Sequence, residues 1–254
     1  SSPTSYNEKG TSFTIPLMAS GSIFGGYWGF VKQGLWKISD ELLKINNELG
    51  IETILNSEIN NIDITQRKIS YTSNNHDSKI YYDYLLFCTD PLTPSKILDD
   101  NGSCIEKKNY LGSSGKLTMF FKKPVEWKKE KALETSFRFV FSQDTLDGLN
   151  DSGQMALNSQ NNYTPGYIQI YPDGAAQRKL NNSENFDKII CFTKNFSFNK
   201  NSNDLIYAEQ NIIEKISKLI SNPEDLVGTK FITPKDLNEV FFFPKGNIDH
   251  LAMD

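Results

Sequence analysis

The residue types that most often do chemistry in proteins are scarce in this chain. Its two histidines are His76 and His250, and its three cysteines are Cys88, Cys104 and Cys191. None of them lies at the short spacing that is typical of metal ligands, so we expect no metal site. So few histidines also leave no Ser-His-Asp or Cys-His arrangement for nucleophilic catalysis. We expect the cysteines to be reduced, structural thiols.

A second candidate for chemistry is the glycine pair Gly25-Gly26, which precedes an amphipathic segment. Glycines allow the backbone to approach a ligand closely, and a helix N-terminus behind them would favour a pyrophosphate. However, no full G-x-G-x-x-G follows a predicted strand, and the sequence contains no Walker phosphate loop. On the residues alone, the pair therefore favours a tight turn over a phosphate site.

Composition excludes several classes of protein. The 254 residues carry a net charge of -4, and no basic stripe is present, so nucleic acid is not an expected partner. No apolar run approaches the roughly 18 residues of a membrane span, and the first residues lack the pattern of a signal peptide. We therefore expect a cytoplasmic protein. Aromatic residues make up 12% of the chain, which suggests a large apolar interior or tunnel.

The amphipathic segment 34–49 predicts a helix, because its apolar residues recur at spacings of three and four. Those residues are Leu35, Ile38, Leu42, Ile45 and Leu49. We expect this stripe to be buried. Gly50 fits the left-handed position just past the end of a helix.

Three strand signals follow this helix. Residues 51–57 contain β-branched side chains, and segments 59–64 and 67–72 alternate as in a hairpin or meander. Residues 81–88 are almost continuously apolar after Asp83, as in a strand that is covered on both faces.

The second half of the chain predicts further strands and one clear helix. The predicted strands are 115–121, 136–142, 166–171 and 188–196. The helix is 204–221, with an apolar stripe of Leu205, Ile212, Ile216 and Leu219. Residues 149–164, which are rich in Asn, are expected to form a mobile loop.

Several blocks of the sequence resemble the phytoene desaturase-like branch of the FAD-dependent amine oxidase superfamily. The blocks are GGYWGFVKQGLWKISDELLKINNELGIETILNSEINNID, YDYLLFCTDPLTPSKIL and YLGSSGKLTMFFKKPVEW, with weaker similarity through GYIQIYPDGAAQRKL and FFFPKGNIDH. Together they span most of the chain, and the first two are the most specific. The first block resembles the middle part of an FAD-binding domain, and the later blocks resemble a substrate domain.

This resemblance implies FAD as the cofactor of the complete parent chain and assigns residues to it. Ile59, in NSEI, would contact the adenine through its backbone carbonyl and amide. The strand that ends near the flavin would be 85–89, so that Thr89, Asp90 and Pro91 lie at the cofactor. The same likeness places Gly25 and Gly26 at the cofactor.

The second half would bind the substrate, and we name Phe139, Arg138, Tyr167 and Tyr171 as its binding residues. The aromatic residues of these strands fit two interpretations, because alternate members could be core and surface, or some could line an apolar channel. Arg138 lies between two phenylalanines and therefore on the opposite strand face, where it could orient a substrate or pair at the surface.

The expected fold class is α/β of the mixed α+β kind, with a mixed sheet covered by helices in the substrate domain. We expect residues 1–20 to lead in from the substrate domain and 21–95 to be the middle of the FAD-binding domain. Residues 96–240 would be the substrate domain, and 241–254 the start of the return to the FAD domain. The glycine-rich fingerprint and the C-terminal flavin segment of the family have no counterpart, so the sequence is interpreted as a central fragment that alone is inactive.

The predicted function is therefore that of the central and substrate-binding portion of an FAD-dependent oxidoreductase. Its partner would be a hydrophobic, unsaturated small molecule, as for a carotenoid desaturase or isomerase. Peripheral membrane contact of the parent enzyme is a further possibility. The alternative is a non-catalytic binding or interaction module that has lost the flavin fingerprint.

Overall fold

The structure is a computed structural model that describes residues 29–90, 92–98, 111–128, 134–142, 145–158, 166–181, 186–198 and 202–248. These residues form helices and two antiparallel sheets, which confirms the mixed α/β fold class. They divide into two compact units, and the smaller unit consists of the described residues within Trp36–Lys108. Relative to the predicted segment 21–95, residues 29–35 belong to the larger unit and residues 96–98 to the smaller one.

The smaller unit contains two helices and one three-stranded sheet. The helices are α1 (Trp36–Glu48) and α2 (Leu92–Ile97). The strands are β1 (Ser57–Asp63), β2 (Lys68–Ser73) and β3 (His76–Tyr81), which pair in that order as an antiparallel meander.

Local sequence explains where these elements begin and end. Gly50 has a φ of 72°, and the N–H groups of Gly50 and Ile51 donate to the carbonyls of Asn47 and Asn46. This is the glycine-terminated helix end that the sequence predicted. Between β2 and β3, Asn74 and Asn75 have φ values of 50° and 64°, as a two-residue hairpin of type I′ requires.

Three expectations for this unit are wrong. The apolar stripe of α1 is exposed, and the helix has no buried residue. The segments 51–57 and 81–88 were predicted as strands, but only Ser57 and Tyr81 at their ends belong to strands. Tyr84 is 90% exposed and Leu86 is 81% exposed. A strand needs a neighbour for its backbone hydrogen bonds. The N–H of Tyr82 still donates to the carbonyl of Arg67 at 3.0 Å, but residues 51–56 and 83–88 belong to neither of the two sheets of the described residues.

The larger unit is built on a five-stranded sheet. Its strands are β4 (Gly115–Phe121), β5 (Arg138–Phe141), β6 (Tyr167–Tyr171), β7 (Asp187–Thr193) and β8 (Leu226–Ile232). Their order is β5-β6-β7-β4-β8, and every pairing is antiparallel, whereas the sequence led us to expect a mixed sheet. The helices are α3 (Leu146–Leu157), α4 (Asp173–Asn181), α5 (Ser202–Ser217) and α6 (Pro234–Glu239), with short 3-10 turns at Pro223–Asp225 and Pro244–Gly246.

One face of this sheet carries the core of the larger unit. Alternate residues of β4, namely Leu117, Met119 and Phe121, are buried, as the period of two requires. They form one cluster with buried residues of β6 and β7 and with Ile212 and Ile216 of α5. Of the predicted stripe, Ile212 and Ile216 are thus confirmed as buried, and they cover the inner face of the sheet. Leu205 is only half-buried and Leu219 lies beyond the end of α5, so the predicted helix limit of 221 was too long.

Four elements of this unit were not predicted from the sequence, namely α3, α4, α6 and β8. The first part of the expected loop 149–164 belongs to α3, whose start is capped by Thr145 through a hydrogen bond of 3.1 Å from the N–H of Gly148. β8 was not predicted, because its alternation is interrupted by a glycine and a lysine.

The segment expected to begin the return to the FAD domain is described as far as residue 248, and it belongs to the larger unit. The N–H of Gly112 donates to the carbonyl of Lys245 at 2.9 Å. A side chain at Gly112 would meet the backbone of Gly246, so the two segments can approach only because position 112 is glycine. The lead-in segment 1–20 lies outside the described residues.

Candidate functional site

The outer face of the five-stranded sheet carries a group of aromatic side chains, which we call the aromatic face. It consists of Phe137, Phe139, Phe141, Tyr167 and Tyr171. Phe139 and Phe141 are 50% and 58% exposed, whereas Ile168 and Ile170 of the intervening positions on β6 are fully buried. The period of two along each strand therefore separates the aromatic residues from the core.

The rings of the aromatic face contact one another in sequence. The centroids of Phe137 and Phe139 lie 4.7 Å apart with their rings nearly perpendicular, and Phe139 stacks on Phe141 at 5.9 Å. Tyr171 lies 4.8 Å from Phe137, and Tyr167 lies 6.1 Å from Phe139. These contacts fix the positions of the rings before any ligand arrives, although about half of each phenylalanine remains exposed.

One polar side chain, Gln169, occupies the middle of this surface. Its register partners on the neighbouring strands are Phe139 on β5 and Phe192 on β7, and Tyr167 and Tyr171 flank it along β6. The hydroxyl of Tyr171 donates to Oε1 of Gln169 at 2.8 Å. Burial raises the pKa of Tyr171, so its hydroxyl stays protonated at neutral pH and acts as a donor. We did not select Gln169 from the sequence, although the alternation in YIQIY places it on the face of both tyrosines.

Three of the four proposed substrate residues, Phe139, Tyr167 and Tyr171, therefore lie together on this face. Arg138 does not join them. It pairs with Ile170 in register, and its guanidinium lies 3.8 Å from the ring centre of Trp127, which is a cation–π contact. The guanidinium also donates to the carbonyl of Ser136. Arg138 thus holds the turn that precedes β5 on the opposite side of that strand.

The proposed adenine contact, Ile59, lies on β1, which is an edge strand of the three-stranded sheet. Ile59 pairs with Tyr71, and the register then shifts between Ile59 and Asn61. The extra residue, Asn60, is tied to β2 by a hydrogen bond of 2.7 Å to the hydroxyl of Thr72. A bulge on an edge strand leaves backbone groups that no neighbouring strand pairs, which is the kind of group a planar base can contact.

The remaining cofactor residues have other contacts or are not described. Asp90 accepts a hydrogen bond of 3.1 Å from the N–H of Thr93 and another from its hydroxyl, so it caps the start of α2. The hydroxyl of Thr89 donates to the carbonyl of Asp90 at 3.3 Å. Gly25, Gly26 and Pro91 lie outside the described residues.

A cleft of about 410 Å³ lies elsewhere in the larger unit, and its lining residues are Glu134, Thr135, Ala175, Arg178 and Lys179. Arg178 already has two acidic partners in the protein, since it pairs with Glu134 at 3.6 Å and with the buried carboxylate of Asp187 at 3.1 Å. Asp187 also accepts a hydrogen bond of 2.9 Å from the N–H of Val125. These contacts hold β7 and α4 together, so we assign this group to stability.

Among the described residues, no group of three or more His, Cys, Asp or Glu side chains could hold a metal ion. The helices in this part of the chain lack the length and apolar character that a membrane span requires. In comparisons with known proteins, no family model and no curated protein matches this chain.

Proposed function

We propose that this chain provides the substrate-binding portion and the middle of the FAD-binding domain of an FAD-dependent oxidoreductase. Its substrate would be a hydrophobic, unsaturated molecule that binds on the aromatic face. The observation that carries this proposal is the row of half-exposed, mutually contacting rings on the outer face of the sheet. The resemblance of the sequence to the phytoene desaturase-like branch supplies the class of reaction.

Contact of these rings with water is unfavourable in free energy. An aromatic side chain buries 150–250 Å² when it is covered, and exposed apolar patches that are contiguous mark interaction sites. A flat, conjugated ligand can cover several rings at once and stack on them. Because the rings already contact one another, little side-chain entropy is lost on binding.

The flavin, when bound, would accept a hydride from the substrate, and the protein would orient the two and exclude water. Among the described residues, Ile59 fits a contact to the adenine through the backbone of an edge strand. Asp90 instead caps the start of α2. We therefore propose that it positions the end of segment 85–89 beside the cofactor.

The aromatic face is tested with 1,6-diphenylhexatriene, a linear conjugated hydrocarbon whose fluorescence rises in an apolar site. We expect saturable binding that weakens about tenfold or more in Phe139→Ala, since one stacking ring is removed. Phe186→Ala is the matched control, because Phe186 is 48% exposed but is not part of the aromatic face. Equal loss in both variants, or absence of saturable binding, would reject the proposal and favour the non-catalytic interaction module.

The flavin contact is tested separately by hydrogen exchange of β1 at millimolar FAD, since one or two hydrogen bonds give only weak binding. FAD should slow exchange in the unsubstituted 254-residue chain and in Ile59→Val. It should not do so in Ile59→Pro, which lacks the N–H. Unchanged exchange of β2 and β3 in the proline variant is the control for folding. Protection of β1 by FAD in the proline variant would exclude this contact.

A further inference from the structure

We propose that Gln169 recognises an oxygen acceptor on the ligand, so that the ligand of the aromatic face is an apolar, unsaturated molecule with a carbonyl or equivalent oxygen. This inference rests on the proposed function and narrows its substrate class. It excludes a plain hydrocarbon as the preferred ligand.

Gln169 is surrounded by aromatic side chains on the outer face of the sheet. Its four neighbours on the outer face are all aromatic: Phe139 and Phe192 across the strands, and Tyr167 and Tyr171 along β6. A ligand that covers these rings must also cover the amide and remove its water. A polar group that loses water without gaining a partner weakens binding, so an amide in this place disfavours a wholly apolar ligand.

A hydrogen bond from Tyr171 orients the side-chain amide of Gln169. The tyrosine hydroxyl donates to Oε1 at 2.8 Å, which fixes the orientation of the amide group and occupies one of the two lone pairs of Oε1. Among the described residues, none accepts a hydrogen bond from Nε2 of Gln169. Both N–H donors of Nε2 are therefore open to a ligand, whereas Oε1 is already engaged by Tyr171, and the complement of an N–H donor is an acceptor oxygen. Tyr171 acts here as a positioning residue.

Fluorene and 9-fluorenone make a matched pair of probes, because they share one flat skeleton and differ only by a CH₂ or a carbonyl at one carbon. Their dissociation constants are measured with the full chain and with Gln169→Leu, which keeps a similar volume. The quantity of interest is the ratio of the two constants, since it cancels the stacking contribution. We expect the preference for fluorenone to fall about three- to tenfold in Gln169→Leu, as for loss of one hydrogen bond. The affinity for fluorene should stay the same or rise.

A second readout is the carbonyl stretching frequency of bound fluorenone. This frequency should be lower for fluorenone bound to the unsubstituted chain than for free fluorenone, and the shift should vanish in Gln169→Leu. Tyr171→Phe frees the amide to rotate, so it should reduce the shift partly while fluorene still binds.

The outcomes separate this inference from the proposed function. An unchanged ratio in Gln169→Leu, while diphenylhexatriene still binds in a manner that depends on Phe139, overturns the role of Gln169 alone. A larger loss of fluorene than of fluorenone affinity in that variant also overturns it. Absence of saturable binding for both fluorene and fluorenone, and for diphenylhexatriene, overturns the inference and the proposed function together.

Discussion

Replacement of Leu42 by aspartate tests whether the apolar stripe of α1 is covered. The sequence pattern predicts a buried position, and an unpaired charge placed there would destabilise the unit by about 3–5 kcal/mol. In the structure, however, Leu42 is 55% exposed. The two situations differ enough in energy to be separated by one measurement.

The expected loss follows from this exposure. Full burial of a leucine contributes about 1.5–3 kcal/mol, and just under half of this side chain is covered, so removing it costs about 1 kcal/mol. The lower helix propensity of aspartate adds about 0.5 kcal/mol. The introduced carboxylate remains hydrated and carries no large penalty. We therefore expect Leu42→Asp to lower the free energy of unfolding by about 1.5 kcal/mol or less.

Hydrogen exchange measured by mass spectrometry on peptides from α1 is the suitable assay, because the two units need not unfold together. Ile216→Asp is the matched control, since Ile216 lies on an α-helix but is fully buried in the core cluster of the larger unit. It should destabilise its own unit by more than about 3 kcal/mol or prevent folding. A loss of that size in Leu42→Asp would refute the reasoning and show that the stripe is covered.

Three further predictions concern the larger unit and the thiols. Asp187→Ala leaves Arg178 without its buried partner and should cost about 3–5 kcal/mol in urea unfolding, whereas Glu214→Ala, which removes an exposed ion pair, should leave the urea midpoint nearly unchanged; similar losses would contradict the assignment. In a variant in which Cys104 is replaced by serine, a thiol reagent at pH 8 should label Cys88 rapidly. It should leave Cys191 unmodified until the chain unfolds, since burial raises the pKa of Cys191 to about 12. A hydrogen bond from Asn222, with neighbouring lysines, lowers the pKa of Asp225, so its contribution is present above about pH 4 and is lost as the pH falls through the lowered pKa. Asp225→Asn should abolish that part of the acid dependence, and an unaltered pH profile would count against it.

Periodicity in the sequence was sufficient for elements whose partners lie within the described chain. The limits of β4 were predicted as observed, and the hairpin of β1 and β2 and the stripe of α5 were also identified. The buried residues of β4 and Ile212 and Ile216 of α5 meet in one core cluster, so there local pattern and tertiary packing agree. The glycine end of α1 was predictable for a different reason, because the left-handed conformation is a local property of the backbone.

The same reasoning failed where a partner was assumed. An apolar run such as 81–88 predicts a strand only if neighbouring strands satisfy its backbone, and a helical stripe predicts burial only if another surface covers it. Sequence carries no direct record of either condition. Helix α3 was missed because its centre, residues 148–153, is rich in Gly, Asn, Asp and Ser, which are also the residues typical of loops.

For the candidate site, the alternation of residues along β5 and β6 could be predicted from the sequence, and so could the placement of Phe139 and Arg138 on opposite faces. It could not determine which of the two faces is the core, because both carry apolar side chains. The tertiary structure decided this, since α5 covers the face of Ile168 and Ile170 and leaves the aromatic rings outside. Register between strands, which depends on pairings distant in the chain, then placed Gln169 among those rings.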